Sequence, residues 1–154
     1  MNKIISICVA VIICFSVGFT AAYFQADAIH TWYPFLNKPS LTPPNFIFPI
    51  VWSLLYLCMG ISIGLIWNTQ HTKRKTLRWL FSCQLLLNFT WSICFFYFQS
   101  PLLGFIDILL LDIFIIYYMI ESYPVKKISS LLFIPYTLWL LLATYLNGYI
   151  ILYN

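Results

Sequence analysis

Five apolar stretches, each about as long as a bilayer is thick, decide what this chain can fold into. They are Ile4–Phe24, Phe46–Trp67, Leu77–Phe98, Leu102–Ile120 and Ile128–Leu152. A helix crosses the hydrocarbon core in about 20 residues. A membrane β-strand would alternate polar and apolar residues over about ten, and none of these stretches does. In lipid each helix satisfies its own backbone hydrogen bonds. The pattern therefore predicts an all-α membrane protein: a single-domain, five-transmembrane-helix bundle over residues 1–154. Composition agrees. The chain is 62% hydrophobic and 8% charged, whereas soluble domains carry roughly a quarter charged residues.

The first stretch shares features with a secretory signal: Lys3, an apolar run, and small residues at Thr20–Ala22 and Ala26–Ala28. Its run exceeds the usual length of a signal core, so it reads as a retained helix. Gly18 and Ala22 give it a small face suited to close packing. Residues 25–45 read as a lid loop stiffened by Pro34, Pro39, Pro43 and Pro44, with Asn45 as the expected N-cap of the second helix. Gly60 and Gly64 form a GxxxG pattern for close helix contact. The pattern does not say whether the partner helix lies in the same chain. Pro135 falls inside the fifth stretch and is expected to kink it.

Basic residues set an expected orientation. Lys3, Lys73, Arg74, Lys75, Arg78, Lys126 and Lys127 share one side, and Lys38 stands alone on the other. The positive-inside rule places the N-terminus in the cytoplasm and the C-terminus outside. Anionic lipid explains the basic patch without a nucleic-acid partner. The five cysteines all lie within apolar stretches, at no metal-site spacing. His30 and His71 fall on opposite sides and cannot share a metal. There is no phosphate loop and no nucleophile with an assigned base, so hydrolase and nucleotide readings have no support.

What remains is polar and aromatic. The second helix carries Phe48, Trp52, Tyr56, Met59 and Ile63 along one face. The third places Gln84, Asn88, Trp91, Phe95 and Phe98 on one stripe. That stripe fits either a ligand pocket or a polar pair joining two helices. Asp107 and Asp112 are five residues apart, about 140° around a helix, so they are not a paired-carboxylate site. A proton relay, pairing across helices, or a neutral acid are the readings left. Trp52 and Trp139 lie well inside their stretches, where interfacial anchoring does not account for them. Either they pack helices or they face a flat ring.

Four motifs carry a resemblance. They are W-Y-x-x-L-x-K-P-x-x-x-P-P at Trp32–Pro44, P-x-x-W-x-x-L-Y at Pro49–Tyr56, Q-L-x-L-N-x-x-W-x-x-x-F-F at Gln84–Phe96, and P-Y-x-x-W-x-x-x-A-T-x-L-N at Pro135–Asn147. Asp107 matches an acidic position in the fourth helix. Over nearly its whole length the chain resembles the TspO/MBR family of tryptophan-rich sensory proteins and translocator proteins. The resemblance implies a five-helix homodimer with a pocket opening toward the first loop. It implies binding of porphyrins such as protoporphyrin IX and of synthetic isoquinoline carboxamides, in a membrane-lipid setting. Carried over by position, the ligand-binding residues are Tyr33, Pro43, Pro44, Trp52, Asn88, Trp139 and Ala143, to which the helical stripes add Phe48, Gln84, Trp91 and Phe95. Some bacterial members are associated with light-dependent porphyrin breakdown, which would make Trp52 and Trp139 the catalytic pair with no cofactor beyond light and oxygen. Transport and ligand sensing are the competing readings. The chain departs from animal members at its end. N-G-Y-I-I-L-Y-N holds no basic residue after a tyrosine, which argues against sterol recognition there. Short tails and the lack of a presequence suit a bacterial plasma membrane.

Overall fold

The computed structural model describes residues 2–154. Helix α1 spans Lys3–Thr31 and α2 Ile47–Trp67. Helix α3, Arg74–Ser92, runs on into a wider π turn at Ile93–Tyr97. Helix α4 spans Pro101–Ser122, and the fifth crossing is built from α5, Lys127–Leu131, and α6, Ile134–Tyr153. These give five helical segments long and apolar enough to cross a membrane. Large apolar side chains such as Ile12, Phe19, Leu86, Ile113 and Leu138 are exposed on the outside of the bundle. That surface suits lipid rather than water.

Four boundaries depart from expectation. Helix α1 continues seven residues past Phe24, through the polar Gln25 and Asp27 to Thr31. Polarity ends a membrane span but does not end a helix, and nothing before Pro34 breaks this one. Its extra turns are anchored by tertiary contacts: Ala28 is buried against Phe95 and Phe96, and Gln25 Nε2 donates to Ser92 Oγ at 2.6 Å. The lid loop is correspondingly shorter. Asn45 does not cap α2; Phe46 occupies the cap position without a side-chain bond. The turn after Pro44 leads into the helix instead, with Ile47 N–H donating to the Pro44 carbonyl at 2.9 Å.

The third departure concerns α3. A π turn widens the helix by one residue, so the period-3.6 stripe fails at its end. Adjacent Phe95 and Phe96 are both buried, while Phe98, expected on the inward stripe, is 60% exposed. The fourth concerns Pro135. Instead of kinking one helix it sits in the first turn of a new one, where a missing N–H costs nothing. The chain breaks at Leu132–Phe133, and Phe133 N–H bonds back to Ser130.

The GxxxG partner lies in the same chain. A Cβ on Gly60 would fall 2.5 Å from Val11 Cα, and one on Gly64 2.6 Å from Ile7 Cα. The backbones of α1 and α2 therefore touch at the end of the bundle that carries the basic loops. Beside this contact, Ser62 Oγ on α2 lies 2.6 Å from Ser129 Oγ on α5 and 2.9 Å from Tyr118 Oη on α4. Phe81 and Phe133 pack on the Tyr118 ring, at 5.9 and 4.5 Å between ring centres. This half of the bundle is filled.

Candidate functional site: an aromatic cavity under the first loop

At the other end the helices enclose a cavity of about 350 Å³. This is within the range of small-molecule sites. Its walls come from α1, α2, α3 with its π turn, α4 and α6, and Tyr33 and Asn45 reach it from the first loop. No lining residue carries a charge.

Eight of the expected ligand-binding residues line this space: Tyr33, Phe48, Trp52, Asn88, Trp91, Phe95, Trp139 and Ala143. Three do not. Pro43 and Pro44 stay in the loop and shape the entry to α2, leaving Asn45 at the cavity. Gln84 lies one turn from Asn88 toward the filled half, wholly buried, and neither of its polar side-chain atoms has a partner. One helical stripe thus runs past the cavity floor into the core. We have no physical account of the unpaired amide.

Asn88 marks the floor. It accepts a hydrogen bond from Tyr56 Oη at 2.8 Å and donates to Tyr136 Oη at 2.7 Å. The amide ties α2, α3 and α6 together and also lines the cavity. Trp52 stacks on Tyr56, with ring centres 5.5 Å apart, and meets Tyr136 edge-on at 6.0 Å. Trp139 meets Phe48 edge-on at 5.5 Å. Among the described residues neither indole N–H finds an acceptor, so both remain available to a ligand. Trp91 differs. It stacks on Phe95 at 5.2 Å, and its N–H points to Asn147 Oδ1 at 3.4 Å. Asn147 in turn donates to the Pro101 carbonyl at 2.8 Å.

The π turn builds the upper wall. Tyr33 meets Phe95 at 6.4 Å and Phe96 at 5.7 Å, while Trp32 packs edge-on to Phe95 at 5.4 Å. Burial raises the Tyr33 phenol above its ordinary pKa, so it stays a neutral hydrogen-bonding group. The loop is closed by Lys38, whose Nζ donates to the carbonyls of Tyr33, Leu36 and Pro34 at 2.7, 3.1 and 3.3 Å. Asn37 and Asn154 exchange two further bonds, at 2.8 and 3.1 Å, pinning the loop to the end of α6.

Helix α1 supplies a wall that the sequence reading left out: Gly18, Ala21, Ala22, Gln25 and Ile29. Its signal was the small pair Gly18 and Ala22, read only as a packing face. The two acids lie outside the cavity. Thr90 donates to Asp107 at 2.7 Å and Thr144 donates to Asp112 at 2.9 Å. Each acid pairs across helices, the first to α3 and the second to α6. His30 is exposed on the last turn of α1, outside the lining.

A sequence model described as the TspO/MBR family matches residues 10–153. The chain is 38% identical to the tryptophan-rich protein TspO of Archaeoglobus fulgidus, across 99% of both chains. It is 40% identical to the protein of that name in Chlorobaculum tepidum, across 100% of this chain and 99% of the relative. It is also 32% identical to the human translocator protein, across 75% of this chain and 70% of the relative. An integral membrane bundle of five crossing helices, with its motifs gathered round one aromatic cavity and this match from end to end, belongs to the TspO/MBR family.

Proposed function

We propose that the cavity binds a flat tetrapyrrole such as protoporphyrin IX, and that light absorbed by the bound ring drives its oxidative breakdown beside Trp52 and Trp139. The observation that carries this reading is the pair of indoles in an uncharged aromatic wall, both with free N–H groups. Aromatic walls hold flat ring systems by offset and edge contacts, and a free indole N–H can orient them. The excited ring withdraws an electron from an indole or excites oxygen, and oxygen is the final oxidant. Isoquinoline carboxamides, flat and uncharged, suit the same walls. The filled half below Asn88 speaks against a continuous passage for transport.

Illumination of purified protein with protoporphyrin IX tests the reading. Absorbance should show a new product in wild type and none in the Trp52→Phe/Trp139→Phe double variant. Equal product in both would end the proposed role of the indoles. Binding without product in either would leave a carrier or sensor.

The setting belongs to the proposal too. The charge asymmetry supports a cytoplasmic N-terminus with the cavity end outside, and a bacterial plasma membrane is the setting we propose. A homodimer would pair a face other than Gly60–Gly64, which α1 already occupies.

A further inference from the structure

The cavity wall is neutral, and Lys38 is not part of it, yet its ammonium is held against one of the wall's rings. Lys38 is the only lysine or arginine in the segments at that end of the bundle. Its Nζ lies 4.6 Å from the centre of the Tyr33 ring, and Tyr33 is part of the cavity wall. Among the described residues the only ion pair is Lys73–Glu121, at the opposite end, so Lys38 has no carboxylate partner. It is held by three backbone carbonyls instead. Burial lowers its pKa, as expected of a partly desolvated ammonium with no counter-charge.

A carboxylate taken into the uncharged interior would lose its hydration with nothing to replace it, which costs several kcal/mol. A flat ligand bearing one is therefore driven to leave it at the mouth. The ammonium beside Tyr33 is already ordered by the loop, so little further ordering is needed on binding. Of its three contacts, the 3.3 Å bond to Pro34 is the longest. Exchanging that carbonyl for a carboxylate oxygen gives a charge-assisted bond and leaves the two shorter contacts in place. The loop stays closed around the occupied site.

We propose that Lys38 is an anion subsite, taking the carboxylate that a flat, apolar ligand leaves at the cavity mouth. The inference rests on the reading that this cavity binds flat ligands, and it adds which end of the ligand faces out. It also separates two roles for Lys38, closing the loop and recognising charge.

The test compares acids with their neutral counterparts in nanodiscs of zwitterionic lipid, with empty discs as the partition control. One pair is protoporphyrin IX and its dimethyl ester. The other is an isoquinoline-3-carboxylate and its N-alkyl carboxamide. Wild type should bind each acid about tenfold more tightly than its neutral partner, the size expected of one hydrogen bond to a charged group. Lys38→Gln keeps a donor for the loop carbonyls but no charge, and should abolish the preference. Lys38→Arg should retain it. Equal binding of acid and neutral ligand by wild type overturns the subsite, as does a preference that survives Lys38→Gln. Equal weakening of both ligands by Lys38→Gln leaves a loop clasp only, and overturns it too. A preference in the isoquinoline pair with no porphyrin binding would support the subsite and refute the porphyrin reading. Failure of all four ligands to bind refutes both.

Discussion

The two halves of the bundle use the same helices to opposite ends. At the basic end α1 and α2 touch backbone to backbone through Gly60 and Gly64, and the space among α2, α4 and α5 is taken by Ser62, Tyr118 and Ser129. At the other end small residues recur on α1, at Gly18, Ala21 and Ala22, but they do not bring the helices together. The Tyr56 ring reaches across to Gly18, and above it the space stays open. Glycines let backbones approach where the facing side chains are no larger than Val11 and Ile7. Where they face Trp52, Tyr56 and Phe95, the large rings brace the helices apart and the small residues become the walls of a cavity.

Substitutions can break this contrast at several depths. The largest effect is expected from Gly60→Leu, which drives a side chain into the Val11 backbone. It should cost about 3 kcal/mol or more and collapse the folded fraction in a detergent melt. Gly148→Ala is its control, because the new Cβ would meet the Phe105 ring at an easily adjusted 3.3 Å. A melting temperature equal to wild type in Gly60→Leu would show that the two helices are not held by backbone contact.

Next comes the floor between the halves. Asn88→Leu strands the buried hydroxyls of Tyr56 and Tyr136 and should cost about 2–3 kcal/mol. It should also weaken ligand binding, since the same side chain lines the cavity. If binding falls while the melt is unchanged, Asn88 serves the ligand and not the helices. Ser62→Ala reaches only the filled half. Tyr118 and Ser129 keep their mutual contact at 3.1 Å, so the cost should be about 1 kcal/mol. Titration with protoporphyrin IX should give wild-type affinity; a loss there would show that the two halves are coupled.

The smallest effect on stability is expected from Ala143→Leu, which projects into open space. The melt should move by less than about 1 kcal/mol in either direction, while ligand affinity drops tenfold or more. A large destabilisation would mean that the cavity is not free volume.

Much of this was legible in the chain because both signals were local. Five long apolar runs identify five crossings whatever their arrangement, and Trp52, Asn88 and Trp139 stood out as large or polar groups too deep for interfacial anchoring. The misreadings share a different cause. The end of α1, the outward turn of Phe98 and the place of Gln84 all depend on what the helix meets. Gln25 and Ala28 look like loop residues until Ser92, Phe95 and Phe96 are opposite them. The stripe from Gln84 to Phe98 assumes a constant period, and the π turn at Ile93–Tyr97 breaks it.

By itself the sequence determined that the chain lies in a membrane, crosses it five times and carries aromatic side chains deep in its spans, because transfer into lipid depends on the length and polarity of each segment alone. Which helix fills the groove at Gly60 and Gly64, how far α1 extends, and that one end closes while the other holds a cavity were decided only by tertiary structure. Those outcomes depend on the shapes of facing side chains from distant parts of the chain, and no local pattern records which residues will face each other.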